Sequence, residues 1–269
     1  SQTACAAGSY QASTGQTSCD DADAGHYVDS TAQTAQTACA AGTYQSATGQ
    51  SSCTDASAGY YVEDDSWTEI NYDSQKIASG TYHTCAILDD GSVSCWGQNI
   101  YFQLGDGTTT DRHTPTQTSS LGTDRTAVAI AAGRYHTCAI LDDASVACWG
   151  GNNYGQLGDG TNTDRNTPTQ TSSLGTDRTA VAIAAGEYHT CAILDDASVS
   201  CWGYNDHGQL ADGTTTDRLT PTQTDSLGTD RTAVAIAAGR DHTCAILDDG
   251  SVSCWGYNGY GQLGDGTTT

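Results

Sequence analysis

Small and branched apolar residues alternate along Ala127-Val128-Ala129-Ile130-Ala131-Ala132. That pattern predicts a strand in a tightly packed sheet, ended by Gly133. His136 to Leu141 predicts a second strand and Ser145 to Gly150 a third. The segment around Thr167-Pro168-Thr169-Gln170 predicts an extended edge, where proline is tolerated. The whole pattern recurs. His-Thr-Cys-Ala-Ile-Leu-Asp-Asp begins at His83, His136, His189 and His242, a period of 53 residues (136 − 83). A fixed period of this length means a solenoid, a propeller or an array.

The cysteines set the strand register. If Cys138 faces Cys148, then Ile140 faces Val146 and Leu141 faces Ser145, leaving a three-residue loop at 142–144. Such loops commonly end in a left-handed residue. Gly91 and Gly250 occupy that place in the first and fourth units, and Ala144 and Ala197 in the middle two. The alanines are expected to cost on the order of 1 kcal/mol each. Facing strand residues lie within disulfide range. The spacing therefore predicts Cys85–Cys95, Cys138–Cys148, Cys191–Cys201 and Cys244–Cys254, each stapling one hairpin.

Residues 1–62 follow another period, 34 residues (39 − 5), seen at Cys5/Cys39 and Cys19/Cys53. Loops closed by Cys5–Cys19 and Cys39–Cys53 are predicted. Units this small bury little, so each crosslink, at roughly 3 kcal/mol on the chain-entropy model, must carry much of the stability. Residues 63–76 are acidic and irregular and read as a junction, with Trp67 expected to cap the first large repeat.

A formal net charge of −23 repels phosphate and argues against nucleic acid and anionic membranes as partners. No apolar run approaches the length of a membrane span. The 12 cysteines, without the short Cys-x2–4-Cys knuckles of zinc sites, point to disulfides and an oxidising compartment. Without an initiator Met, and stopping within a fourth unit, the chain reads as a piece of a longer protein.

Three motifs recur in register across residues 77–269: His-Thr-Cys-Ala-Ile-Leu, Cys-Trp-Gly-x-Asn and Gly-Gln-Leu-Gly-Asp-Gly-Thr. They closely resemble the RCC1-like repeat, and most of all its cysteine-bearing extracellular version in microbial surface proteins. The resemblance implies an all-β fold of propeller blades, here three full repeats and one partial. The family normally closes a ring of seven, so a closed single-chain propeller is in doubt. The Cys…Gly-x-Tyr…Gly-Gln-x-x-Cys pattern of residues 1–62 resembles ephrin-receptor-like cysteine-rich repeats. That family usually places a further cysteine where Thr54, Asp55 and Ala56 stand. This second resemblance implies an extended extracellular stalk.

Several side chains are candidates for chemistry. The recurring histidines are expected, on the resemblance, to be hydrogen-bonding residues internal to each blade. The loops from Asp106 to Asp111 and their equivalents carry hard oxygens that could take calcium, with solvated turns as the plainer expectation. Arg112, Arg165 and Arg218 are expected to latch onto a neighbouring blade's acid. Differences between the near-identical units cluster after Trp-Gly. Tyr101, Phe102, Asn153, Tyr154, Tyr204, Asp206, His207, Tyr257 and Tyr260 are therefore the candidate interaction residues. Every polar constellation comes in copies, whereas catalytic sites are singular, so neither an enzyme nor a cofactor is expected. The leading expectation is a non-enzymatic extracellular structural protein that associates with its own copies in a surface assembly or filament. The alternative is an extracellular protein- or glycan-binding module.

Overall fold

The computed structural model describes residues 4–12, 18–23, 26–38, 43–44, 47–55, 60–63, 66–69, 75–225, 227–228 and 231–269. The chain divides into two compact units, Ser1–Asp73 and Ser74–Thr269.

In the first unit the strands are short. β1 (Ser9–Tyr10) pairs with β2 (Asp20–Asp21), β3 (His26–Tyr27) with β4 (Thr37–Ala38), and β5 (Thr43–Tyr44) with β6 (Thr54–Asp55). Cys5 is buried and bonded to Cys19, as the spacing predicts. Cys53 is disulfide-bonded, while its expected partner Cys39 lies outside the described residues. The two repeats meet at backbone distance. A Cβ on Gly8, where φ is +92°, would collide with the Gly49 carbonyl oxygen, so only glycine fits. Part of the segment expected as an irregular junction is a strand, β8 (Ser66–Glu69), which pairs with β7 (Tyr60–Glu63) at the end of the preceding repeat. Trp67 belongs to β8, opposite Val62. Its side-chain surroundings, and with them the expected capping, fall outside the described residues.

The second unit repeats one antiparallel meander. Blade one contains β9 (Ile77–Ser79), β10 (His83–Ile87), β11 (Val93–Gly97) and β12 (Arg112–Gln117). Blade two contains β13 (Ala127–Ala132), β14 (His136–Leu141), β15 (Val146–Gly150) and β16 (Arg165–Gln170). Blade three contains β17 (Ala180–Ala185), β18 (His189–Leu194), β19 (Val199–Gly203) and β20 (Arg218–Gln223). The fourth sheet has three strands, β21 (Ala233–Ala238), β22 (His242–Leu247) and β23 (Val252–Gly256). In the full blades the proline-bearing strand is the outer edge, where no ladder bond needs its missing N–H.

The hairpin register is the predicted one. Cys138 faces Cys148 and Ile140 faces Val146, with the Leu141 amide donating to the Ser145 carbonyl. All four hairpin disulfides form, with Cα atoms 4.1 Å apart. Ala144 and Ala197 take φ of 60° and 61° at the loop's last position, and Gly91 and Gly250 take 76° and 80°.

Because side chains alternate across a strand, each blade has two apolar faces. The trailing face of blade one presents Cys85, Ile87, Val93, Cys95 and Leu104. It packs against the leading face of blade two, with Ile130, Ala139, Leu141 and Trp149. The same junction joins blades two and three and blades three and four. Trp149 and Trp202 are fully buried there, each against a glycine of the preceding blade, Gly105 and Gly158. The core therefore lies between blades, and no blade completes it alone.

Candidate functional site

The histidines belong to the junctions, which corrects the expectation that they act inside their own blades. His83 Nε2 lies 2.7 Å from Thr137 Oγ1 of the next blade, and His136–Thr190 and His189–Thr243 repeat the contact at 3.0 and 2.9 Å. Each threonine hydroxyl donates its single proton to a main-chain carbonyl, Thr137 to Gln103 at 2.9 Å. The hydroxyl can then only accept from the ring, so Nε2 carries a hydrogen. Burial holds the pKa of His83 down at about 4 and those of His136 and His189 at about 3. The other ring nitrogen, Nδ1, is buried without a hydrogen-bond partner in all three. A second proton there would find no acceptor. The role of these residues is to align blades.

The Asp-Gly-Thr loops are also internally committed. Asp106 accepts from Arg112 Nε at 2.8 Å, Thr108 Oγ1 at 2.7 Å and Asn99 Nδ2 at 3.0 Å. Burial would raise its pKa, but these hydrogen bonds outweigh burial and hold it below the usual carboxylate value. Arg165–Asp159 and Arg218–Asp212 repeat the pair. The arginines therefore bind acids of their own repeat, and the expected blade-to-blade latch is corrected. The loops are solvated turns as expected, with Gly107, Thr109, Thr110 and Asp111 exposed, except that the Asp106 side chain is folded inward and only 5% exposed.

What remains is a continuous aromatic band on one end of the blades. The loops preceding the second strands contribute Tyr82, Tyr135 and Tyr188. The loops following Trp-Gly contribute Tyr101, Tyr154, Tyr204, His207, Tyr257 and Tyr260. Ring centroids lie 4.6 Å apart for Tyr101–Tyr135, 5.2 Å for Tyr154–Tyr188 and 4.9 Å for both Tyr154–Tyr204 and His207–Tyr257. The band passes from blade to blade, with Tyr82–Tyr135 and Tyr135–Tyr188 at 5.8 and 6.1 Å. Burial pushes the Tyr204 phenol up to about 12, helped by its hydrogen bond to Asp206. Phe102 sits half-buried with φ of 63°, and Asn153 is exposed beside Tyr154.

A charged triad adjoins the band. Arg134, Glu187 and Arg240 occupy equivalent positions of successive blades (134 + 53 = 187; 187 + 53 = 240). Both arginines pair with the buried Glu187 carboxylate. The Arg134 guanidinium carbon lies 4.9 Å from the Tyr135 ring centre, 5.6 Å from that of Tyr82 and 5.9 Å from that of Tyr188, an arrangement that favours the cation. The triad borders a cavity of about 530 Å3 floored by Gly80, Gly133, Gly186 and Gly239. Tyr82, Tyr135, Tyr188 and the triad were not among the sequence candidates. Their signal was present: these positions vary between an unvarying glycine and an unvarying histidine.

Clustered phenols, a part-exposed guanidinium over their rings and a shared buried carboxylate on one face are the composition of protein-recognition surfaces. Four-stranded meanders packed face to face around such an end define β-propeller blades. The chain belongs to the family of the regulator of chromosome condensation (RCC1) repeat. One family model matches residues 90–140, 143–193 and 196–246, and a second matches 75–103, 127–156, 180–209 and 233–262. The chain is 36% identical over 194 residues to the ultraviolet-B receptor UVR8 of Arabidopsis thaliana, covering 72% of this chain and 43% of the relative. It is 36% identical over 195 residues to the human probable E3 ubiquitin-protein ligase HERC4, covering 72% of this chain and 18% of that one. The chain thus spans less than half the length of these curated relatives. Among solved structures it is similar to human WBSCR16, with a TM-score of 0.64 at 21% identity, covering 77% of this chain and 54% of that one. It is also similar to Prp20p of Saccharomyces cerevisiae, with a TM-score of 0.61 at 26% identity, covering 70% and 45%.

Proposed function

We propose that this chain is a non-enzymatic protein-binding module of the cell exterior, and that the aromatic end of its blades is the binding face. The band from Tyr82 to Tyr260, braced by Arg134, Glu187 and Arg240, carries this reading. Tyrosine supplies large contact area at low entropic cost. A relative supports a protein partner, since Prp20p is described by its binding to Gsp1p and histones. The exterior location is supported by the disulfides and by the resemblance of residues 1–62 to ephrin-receptor-like repeats. A glycan partner would use the same phenol faces.

The alternative, a structural subunit of a surface assembly or filament, draws on the near-identity of the units. The names of the relatives, a receptor and a ligase, lend it no support.

Affinity capture from the extracellular fraction tests the binding face. The intact chain is compared with a Tyr154→Ser/Tyr204→Ser variant and with an Arg125→Ser/Arg178→Ser variant, whose changes lie at the hairpin-loop end of the blades. Partners lost only with the tyrosine variant are the expected result. An unchanged set of partners, or one lost with the arginine variant, overturns the assignment.

A further inference from the structure

The aromatic band already holds a cation of its own. The Arg134 guanidinium lies over the rings of Tyr82, Tyr135 and Tyr188 and pairs with the buried Glu187 carboxylate. In this protein, phenols with a carboxylate beside them are thus a seat for a guanidinium. A second cluster of the same composition lies further along the band. The Tyr204 ring meets Tyr154 at 4.9 Å, Tyr188 at 6.4 Å and His207 at 6.2 Å. Asp206 is exposed, and its Oδ2 accepts from the Tyr204 hydroxyl at 3.1 Å. Asp241 stands where the other units have Tyr82, Tyr135 and Tyr188 (188 + 53 = 241), and its charge also bears on the Tyr204 phenol. Among the described residues the one cation over aromatic rings is Arg134, and it does not reach Tyr154 or Tyr204. Every member of the second cluster lies between Tyr154 and Asp241, within blades two to four.

Charge decides what fits there. All eight arginines (9 cations less Lys76) are paired with acids of the chain. At the aromatic end, Arg134 and Arg240 are balanced by Glu187 and Asp241. Asp206 is left in excess, and the equivalent loops carry Ile100, Asn153 and Gly259 at its position. An anionic group would meet Asp206 and the net charge of −23. An apolar group would desolvate the carboxylate without compensation. A cation gains from the ring faces and the carboxylate together. We propose that the second cluster seats an arginine or lysine side chain of the partner protein, against the rings of Tyr204 and His207 and in an ion pair with Asp206. The Tyr204 hydroxyl occupies Oδ2, so Oδ1 accepts from the incoming N–H. Arginine is preferred, because a planar guanidinium stacks on a ring while its edge bonds a carboxylate. The proposal rests on the reading of the aromatic end as the binding face and names the chemistry of what that face takes.

The probe is a fluorescently labelled Gly-Ser peptide bearing three spaced arginines, titrated with residues 1–269, unreduced, and followed by anisotropy. Its counterpart carries citrulline, which keeps the shape of arginine and loses the charge. The citrulline peptide is expected to bind about tenfold more weakly or worse. Asp206→Asn/Asp241→Asn is expected to weaken the arginine peptide by about tenfold and to leave the citrulline peptide within about twofold. Asp124→Asn/Asp177→Asn removes as many charges at the hairpin-loop end, from exposed positions whose left-handed φ asparagine tolerates. It is expected to change binding by no more than about twofold, because those charges are remote and screened. Circular dichroism confirms that both variants keep the strand content of the parent. No binding of the arginine peptide by about 1 mM protein, equal binding of the citrulline peptide, or equal losses in the two aspartate variants overturns the proposal. Affinity capture separates it from the reading it rests on. Partners lost with Tyr154→Ser/Tyr204→Ser yet kept with Asp206→Asn/Asp241→Asn would leave the binding face standing and overturn the cation seat.

Discussion

The two units use the same covalent device to different effect. In the N-terminal unit the first six strands are two residues long and a disulfide spans 14 positions. In the blades the strands reach six residues and each disulfide spans 10 positions. Chain entropy assigns both crosslinks about 3 kcal/mol. Among the described residues, the large buried side chains lie in the blades, where Trp149, Trp202, Ile140 and Ile193 are shut between neighbours, while the N-terminal unit buries Ala22 and Val28 beside Cys5. The same crosslink is thus most of what holds one unit and a supplement in the other. The difference is what an apolar face with a partner contributes.

Acid should separate the units most strongly. His83, His136 and His189 are held neutral in the fold at pKa values of about 3 to 4, against 6.5 in the unfolded chain. The unfolded chain then binds more protons below pH 6.5. Stability is complete above that pH, is lost as pH falls through it, and goes on falling to about pH 3, where His136 and His189 protonate in the fold. Three such groups amount to on the order of 4 kcal/mol at pH 5.5. Asp106, Asp159 and Asp212 are held below their ordinary value of 3.8 and add their own loss only below about pH 4. Urea titrations followed by circular dichroism at pH 7.5 and 5.5 measure this, and a constant midpoint refutes it. Replacing His136 with Gln should flatten the dependence.

Trp202→Ala attacks the shared core directly. Emptying a fully buried tryptophan site should cost about 3–5 kcal/mol. The loss should fall on blades two and three and leave proteolysis within residues 1–62 unchanged. Protection of the blades equal to that of the parent would show that the junction is not the core of the unit.

The period of 53 residues, the hairpin register and all four hairpin disulfides were legible because cysteines and strand alternation fix them within a single repeat. The half of the aromatic band after Trp-Gly was legible because those loops vary. Tyr82, Tyr135 and Tyr188 escaped notice because a tyrosine next to a strand reads as packing until its neighbours in other blades are known. The histidines were misassigned for a related reason. A repeated motif shows that a contact recurs, but not whether it closes within one copy or between two. The Arg112–Asp106 pair, six positions apart, shows the converse, a short-range contact expected to be long-range.

Removing a disulfide from each unit sharpens the comparison at a smaller size. Cys5→Ser/Cys19→Ser and Cys138→Ala/Cys148→Ala each forfeit about 3 kcal/mol of unfolded-chain restraint. The first variant should lose protease resistance within residues 1–62. The second should stay folded at 25 °C, because Cys138 and Cys148 lie in the apolar layer that Trp202 closes. Equal resistance of the two variants would mean that the N-terminal unit has more support than the Cys5–Cys19 crosslink gives it.

The smallest expected effect isolates one torsion from all packing. Ala144 and Ala197 hold φ near 60°, which costs an alanine about 1–2 kcal/mol, while glycine there costs about 0.5–1 kcal/mol in unfolded-chain entropy. The Ala144→Gly/Ala197→Gly variant should therefore gain up to about 1 kcal/mol, read as a higher urea midpoint. The reverse changes separate strain from contact. A Cβ on Gly250 would meet nothing within 4 Å, so Gly250→Ala should cost only the strain. A Cβ on Gly91 would collide with the Cβ of Thr126, so Gly91→Ala should cost more. Equal costs at the two positions would mean that Thr126 moves aside freely, and that the turn's backbone torsion alone sets the preference for glycine.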